Sequence, residues 1–123
     1  MEIKLNDEMV ELKFGFKFLK SLNDEFSTEE KGMKVDAGII NSYVTFQTLD
    51  PYGLFKIVKC AVSHINRRPN DEKLFDSFDD LVEEEYQGDL EKFAEDLKEE
   101  MGKRPIIKAS IDRIEKATEN QGF

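Results

Sequence analysis

The chain has 123 residues, enough for one domain with a core that needs no covalent staples. It is 39% hydrophobic and 37% charged, with ten Phe and three Tyr, which excludes a disordered chain; with no apolar run of about 18 residues, a membrane span is excluded too. The start MEIKLNDEMVELK carries acids and no apolar core, unlike a secretory leader, and a single Cys rules out an internal disulfide framework and fits a cytoplasmic setting.

The net charge of −9 is unevenly placed. Residues 71–100 hold 14 acids against 3 bases, residues 1–70 hold 10 of each, and residues 101–123 hold 5 bases against 3 acids. An acidic mid-section argues against a phosphate backbone as partner, which needs clustered Lys and Arg. It permits a protein partner with basic patches, or head-to-tail pairing between copies. Taken alone, Glu-rich stretches are ordinarily the solvated faces of helices.

In chain order, residues 2–5 and 9–14 alternate, with Ile3 and Leu5 on one face of the first segment and Val10, Leu12 and Phe14 on one face of the second. The polar Asn6-Asp7-Glu8 between them predicts a tight turn and a β-hairpin over 2–14. Two strands alone are marginal in water, so a helix face or a second copy must cover them. Near Gly15 the period changes from two to 3.6, which predicts a helix from about Phe16 to Phe26. Residues Ser27 to Lys34 read as a polar loop. A second helix starts with Asp36 as N-cap, carries Ile39, Ile40, Tyr43, Val44 and Phe46, and reaches about Leu49. Asp50-Pro51 pairs an N-cap acid with Pro at the first helical position. The helix that follows carries Leu54, Ile57, Val58, Ala61, Val62 and Ile65, the most apolar segment of the chain; it is expected to be central and to stop before Pro69. From Asp71 the pattern Leu74, Phe75, Phe78, Leu81, Val82 and Tyr86 is helical, with Ser77 a possible fresh cap and Gly88 a stop. Asp89 caps a helix carrying Leu90, Phe93, Ala94, Leu97 and Met101, closed by Gly102. Pro105 suits the first turn of a last segment striped by Ile107, Ile111 and Ile114, and 120–123 reads as a frayed end. The expected architecture is a mostly helical α+β fold, an N-terminal β-hairpin packed on four to six α-helices. Residues 1–102 form a single globular domain, and 103–123 a C-terminal helix or flexible tail.

Chemistry is thinly provided. Cys60 and His64 lie four apart on the expected third helix, a spacing that suits two metal ligands. No second Cys or His exists to complete a zinc site, so Cys60 reads as a small core residue. The acid pairs fall on polar sides of helical patterns, and neither an EF-hand loop, a phosphate loop nor GxGxxG occurs. No catalytic, cofactor-binding or metal-binding residue is assigned, and the chain is not read as an enzyme. What remains is apolar surface. Phe16 and Phe18 point to opposite sides if extended and lie about 200° apart in a helix, so one of them is left over by the chain's own core. Together with the Ile107, Ile111 and Ile114 stripe, they are the candidate protein-binding residues.

The opening MEIKLNDEMVELKFGFKFLKSLN, with its hairpin, the run from Leu12 to Leu19, Leu22 and the acidic helical remainder, resembles the tail assembly chaperones of long-tailed phages and prophages of Gram-positive bacteria. The likeness is sharpest over 1–26 and runs loosely to about residue 101. It implies a non-enzymatic protein without cofactors that acts in the cytoplasm of the host cell. Such a protein coats the long apolar tape measure protein, keeps it soluble, helps bring tail tube subunits to it, and is absent from the finished virion. It also implies self-association, because many copies line one client, and no nucleic acid or membrane partner. The alternative is a small acidic regulatory or inhibitory protein, such as a decoy for a nucleic-acid site, which would need the acids of 71–100 on one continuous surface.

Overall fold

The structure is a computed structural model and describes residues 1–30, 33–35 and 37–120. Strands β1 (Glu2–Leu5) and β2 (Glu8–Glu11) pair antiparallel with Ile3 opposite Val10 and Leu5 opposite Glu8. Only Asn6 and Asp7 join them, both at positive φ (51° and 65°), the left-handed pair that a two-residue hairpin requires and that Asn and Asp tolerate. Strand pairing runs to Glu2 opposite Glu11, and the Leu12 N–H donates to the Met1 carbonyl at 2.8 Å beyond it. The expected second strand therefore splits, and residues 12–14 run on as extended chain with Leu12 and Phe14 buried.

Helix α1 (Phe16–Glu25) follows, then a second antiparallel hairpin of β3 (Thr28–Glu30) and β4 (Met33–Val35). This hairpin replaces the expected polar loop: three-residue strands of mixed polarity are too short for alternation to stand out in the sequence. The expected cap Asp36 and the end 121–123 lie outside the described residues. Helix α2 (Gly38–Thr48) starts where the Asn23 side chain of α1 accepts from the Gly38 N–H at 2.9 Å. A Cβ on Gly38 would come within 2.5 Å of Asn23 Oδ1, so glycine is what allows the two helices this approach.

Helix α3 (Pro51–Ala61) begins as expected, with Asp50 accepting from the Tyr52 N–H at 3.3 Å and Pro51 in the first turn. It is the centre of the molecule: Leu54, Ile57, Cys60, Ala61 and the following Val62 are all 0% exposed. It packs against α1, α2 and helix α4 (Asp71–Asp80). The sequence carries its pattern to Ile65, but the helix stops four residues earlier. Lys13, in the extended segment, donates its N–H to the Ala61 carbonyl at 2.9 Å, and Ile65 bonds to Val62 instead (3.2 Å), tightening the chain out of the helix. Cys60 and His64 consequently do not share a helical face.

Helix α4 is capped by Asn70, which accepts from the Lys73 N–H at 3.0 Å, with Asp71 and Glu72 favourably placed at its positive end. It does not restart at Ser77. It runs through to a π turn over Leu81–Glu85 and ends at Gln87 and Gly88, both at positive φ. Helix α5 (Leu90–Gly102) is capped by Asp89 as expected, and α6 (Pro105–Asn120) lies against α2 and α5. Edge-to-face rings tie α3, α4 and α5 together: Phe55 to Phe78 at 5.7 Å, Phe78 to Phe93 at 5.6 Å, and Phe93 to Tyr86 at 5.2 Å. The result is the mostly helical α+β architecture, with the first hairpin covered by α4 and six α-helices among the described residues.

Candidate protein-docking surfaces

The residues that alternation and helical spacing single out for protein contact separate in the fold. Phe16, the first residue of α1, is 77% exposed. Phe18 is 1% exposed and packs edge-on to Phe14 at 5.0 Å. Ile107 and Ile111 are seated in the common core, and Ile114, one turn on, is half-buried. In this fold the chain's own core covers Phe18, Ile107 and Ile111, while Phe16 faces solvent. The expected division at residue 102 falls between α5 and α6, and α6 contributes to the same core as the rest.

Helix α2 shows a pattern that the sequence conceals. Its buried face is made of Gly38, Ser42 and Thr45, which recur at helical spacing, whereas Ile40 and Val44 on the opposite side are 56% and 48% exposed. The apolar residues that the helix carries, Ile39, Ile40, Tyr43, Val44 and Phe46, are none of them fully buried. The physical reason is close packing. Ser42 satisfies its hydroxyl on the Gly38 carbonyl at 2.9 Å, and a Cβ on Gly53 of α3 would lie only 2.6 Å from Thr45 Oγ1. Small residues bring α2 onto α1 and α3, so Ile40 and Val44 turn outward while Ile39 and Phe46 pack partly against the core. A helix apolar on nearly every side is normally enclosed; here one such face meets solvent. The available signal in the sequence was the small-residue series 38, 42 and 45 with Gly53 beyond it.

A second apolar outcrop joins α3 and α4. Tyr52, 55% exposed, stacks on Phe55 at 5.9 Å, and Phe75, 39% exposed, leans on Phe55 at 4.7 Å. The Lys56 ammonium lies 5.1 Å from the Tyr52 ring centre and 5.3 Å from that of Phe26.

Between the first hairpin and the α4–α5 corner runs a cleft of about 550 Å³, bounded by Glu2, Met9, Leu81, Glu85, Tyr86 and Asp96 among others. A hollow of about 230 Å³ shares Glu2, Met9, Leu81 and Glu85 with it and extends to Asp80 and Glu84. The Tyr86 hydroxyl donates to Asp96 at 2.8 Å; that bond first, and Lys92 next, hold the Asp96 carboxyl below its ordinary range. Elsewhere the acids of 71–100 disperse. Asp71 pairs with Lys59, and Glu91 and Glu95 line a hollow beside Phe46 and Leu49 of α2. They do not form the single continuous strip that a nucleic-acid decoy needs.

Burial, with Glu25 adding to it, pushes the Cys60 thiol up to about 12. Burial and the neighbouring Lys13 charge lower the basicity of His64. No group of three metal-ligating side chains stands together among the described residues, and no helix among them is long and apolar enough to cross a membrane.

These features are a helical body with outward apolar faces. The family described as phage tail assembly chaperone protein, TAC, matches residues 2–116. The chain belongs to that family. The match takes in α1 to α5 and most of α6, so it spans both sides of residue 102 and extends the opening likeness across nearly the whole body of the chaperone. No curated protein and no solved structure matches the chain.

Proposed function

We propose that this chaperone binds the tape measure protein of its phage, keeps it soluble, and helps bring tail tube subunits to it, several copies lining one client. It acts in the cytoplasm of the bacterial host, for a siphovirus or prophage of a Gram-positive bacterium, and is absent from the mature virion. No step of that work requires a bond to be made or broken.

The observation that carries this reading is the outward face of α2. Ile40 and Val44 lie one turn apart, the spacing at which one helix offers knobs to another, and they stay exposed while Ser42 and Thr45 are buried behind them. A tape measure protein is a long apolar helix, so a helical face of this kind is a chemically matched partner. The negative charge of the rest of the chain keeps the complex dispersed.

Co-expression tests the reading. With the chain present, the tape measure protein is expected in the soluble fraction and co-purifies with it. With Ile40→Ser/Val44→Ser, both changes at exposed positions, the chain stays folded and the client returns to the pellet. An insoluble client beside folded wild-type chain would overturn the reading; a soluble client with the double variant would remove α2 from it.

A further inference from the structure

Two adjoining hollows flank helix α5. One, of about 320 Å³, lies between α5 and the end of α2 and is bordered by Phe46, Leu49 and Ala94. The other, of about 360 Å³, lies between α5 and α6 and is bordered by Gly102 and Ile111. Glu95 and Lys98 line both, so the two form one groove. Its floor on α5 is made of small residues. Ala94 is buried, and a Cβ on Gly102 would meet nothing within 4 Å. Gly102 is helical and its φ is not positive, so neither space nor backbone conformation inside the chain demands glycine there. From Glu91 to Gly102 the groove follows α5 for about 16 Å, roughly three turns.

The charge on its walls is one-sided. Lys98 is engaged by Glu115 at 3.5 Å and Lys108 by Asp112 at 3.1 Å. Glu91, Glu95 and Glu99 stand exposed along α5 at successive i,i+4 positions, with no ion pair among the described residues. Like charges at that spacing repel one another, and a cation brought from outside relieves the repulsion. The groove also continues a face already described. Gln47 borders the first hollow, and it follows Ile40 and Val44 on one side of α2 at i,i+4,i+7 spacing. Apolar floor, acidic wall and helical length together match an amphipathic helix whose apolar row is flanked by Lys or Arg.

We propose that the groove along α5 receives a basic amphipathic helix of the client. Its apolar row lies on Ala94, Gly102 and Ile111, its Lys or Arg side chains meet Glu91, Glu95 and Glu99, and the outward face of α2 extends the contact. The groove thus selects which client segments are covered: those with cations beside their apolar row, in preference to those with acids there. The inference rests on the reading of the chain as a client-binding chaperone and names the segment chemistry that it takes. Its test uses peptides with no tape measure sequence, so the groove can fail while client solubility stands, and the reverse.

Fluorescence anisotropy with two labelled helical peptides of about 18 residues, roughly five turns, gives the readout. Both carry the same row of Leu; one is flanked by Lys and the other by Glu. The full chain is expected to bind the Lys peptide at least about tenfold more tightly at low salt, with most of that difference gone in about 0.5 M salt, because exposed charges are screened there. The Lys peptide with Ser in place of Leu is expected not to bind. Glu95→Gln/Glu99→Gln, which removes charge at exposed positions and keeps shape, is expected to cut the preference at least about threefold with unchanged circular dichroism. Glu83→Gln/Glu84→Gln changes the net charge equally outside the groove and is expected to keep the preference, which separates the groove from the general attraction of an acidic chain. A Lys peptide that fails to bind up to about 1 mM, as a groove filled by a second copy would give, overturns the proposal. So does equal binding of the Lys and Glu peptides, a Ser peptide that binds as the Leu one does, a groove variant that keeps the full preference, or a control variant that loses as much.

Discussion

Gly53 and Cys60 show how single positions are fixed by what lies across from them. At Gly53 the constraint is contact. A methyl there would lie 2.6 Å from Thr45 Oγ1 and 2.8 Å from Thr45 Cγ2. Gly53→Ala is therefore expected to lower stability by about 1–3 kcal/mol in denaturant titrations, despite the better helix propensity of Ala. Thr45→Ala in the same background should recover part of the loss, a positive coupling read by a double-mutant cycle. At Cys60 the constraint is solvent. Its thiol is 0% exposed and its pKa is pushed from 9.0 to about 12. Below pH 9 it is protonated whether the chain is folded or not, and folding is indifferent to pH through this group. Between 9 and 12 the unfolded chain releases the proton and the folded one keeps it, so stability falls as pH rises, by up to about 1.4 kcal/mol per pH unit. Tyr86, also raised, adds its own fall, so the check is the difference between wild type and Cys60→Ala measured at pH 8 and pH 10.5: the variant should lose less.

Among the elements, α2 and α3 form an instructive pair. Both are apolar, yet α3 is enclosed on α1, α2 and α4, whereas α2 turns a face outward. Ile57 on α3 is 0% exposed and Ile40 on α2 is 56% exposed. Ile57→Ala is expected to cost about 1–4 kcal/mol because it leaves a cavity, and Ile40→Ala to stay within about 0.5 kcal/mol. Thermal melts of the two variants side by side decide this; equal melting points would refute the assignment of faces. The cap of α3 is separable from its packing: Asp50→Ala removes the acceptor for the Tyr52 N–H and should cost about 1 kcal/mol.

For the whole molecule, the question is whether α6 belongs to the body. Ile107 and Ile111 are 0% and 7% exposed, and α6 meets both α2 and α5. Lys98 on α5 and Glu115 on α6 add an ion pair at 3.5 Å, but both are well exposed and its contribution is small. Ending the chain after Gly102 removes two buried Ile side chains and uncovers their partners. Stability is expected to fall by at least about 4 kcal/mol, a large part of what a domain of this size has. A truncated chain that melts like the full one would show α6 to be an appendage.

The hairpin, the capped starts at Asp50 and Asp89, and the central place of α3 were legible in the sequence because each depends on residues near one another in the chain. Alternation sets the strands, a side-chain oxygen satisfies a nearby N–H, and a long apolar run needs enclosure wherever it sits. Tertiary structure alone decided the rest. The end of α3 depends on Lys13 claiming the Ala61 carbonyl from across the fold. The outward turn of Ile40 and Val44 depends on the small residues of α2 lying close against Asn23 of α1 and Gly53 of α3. The acid walls around Met9 are assembled from residues far apart in sequence. Periodicity marks which side chains are apolar, but which of them are covered is set by how closely neighbouring backbones approach, and that is a property of the packed whole.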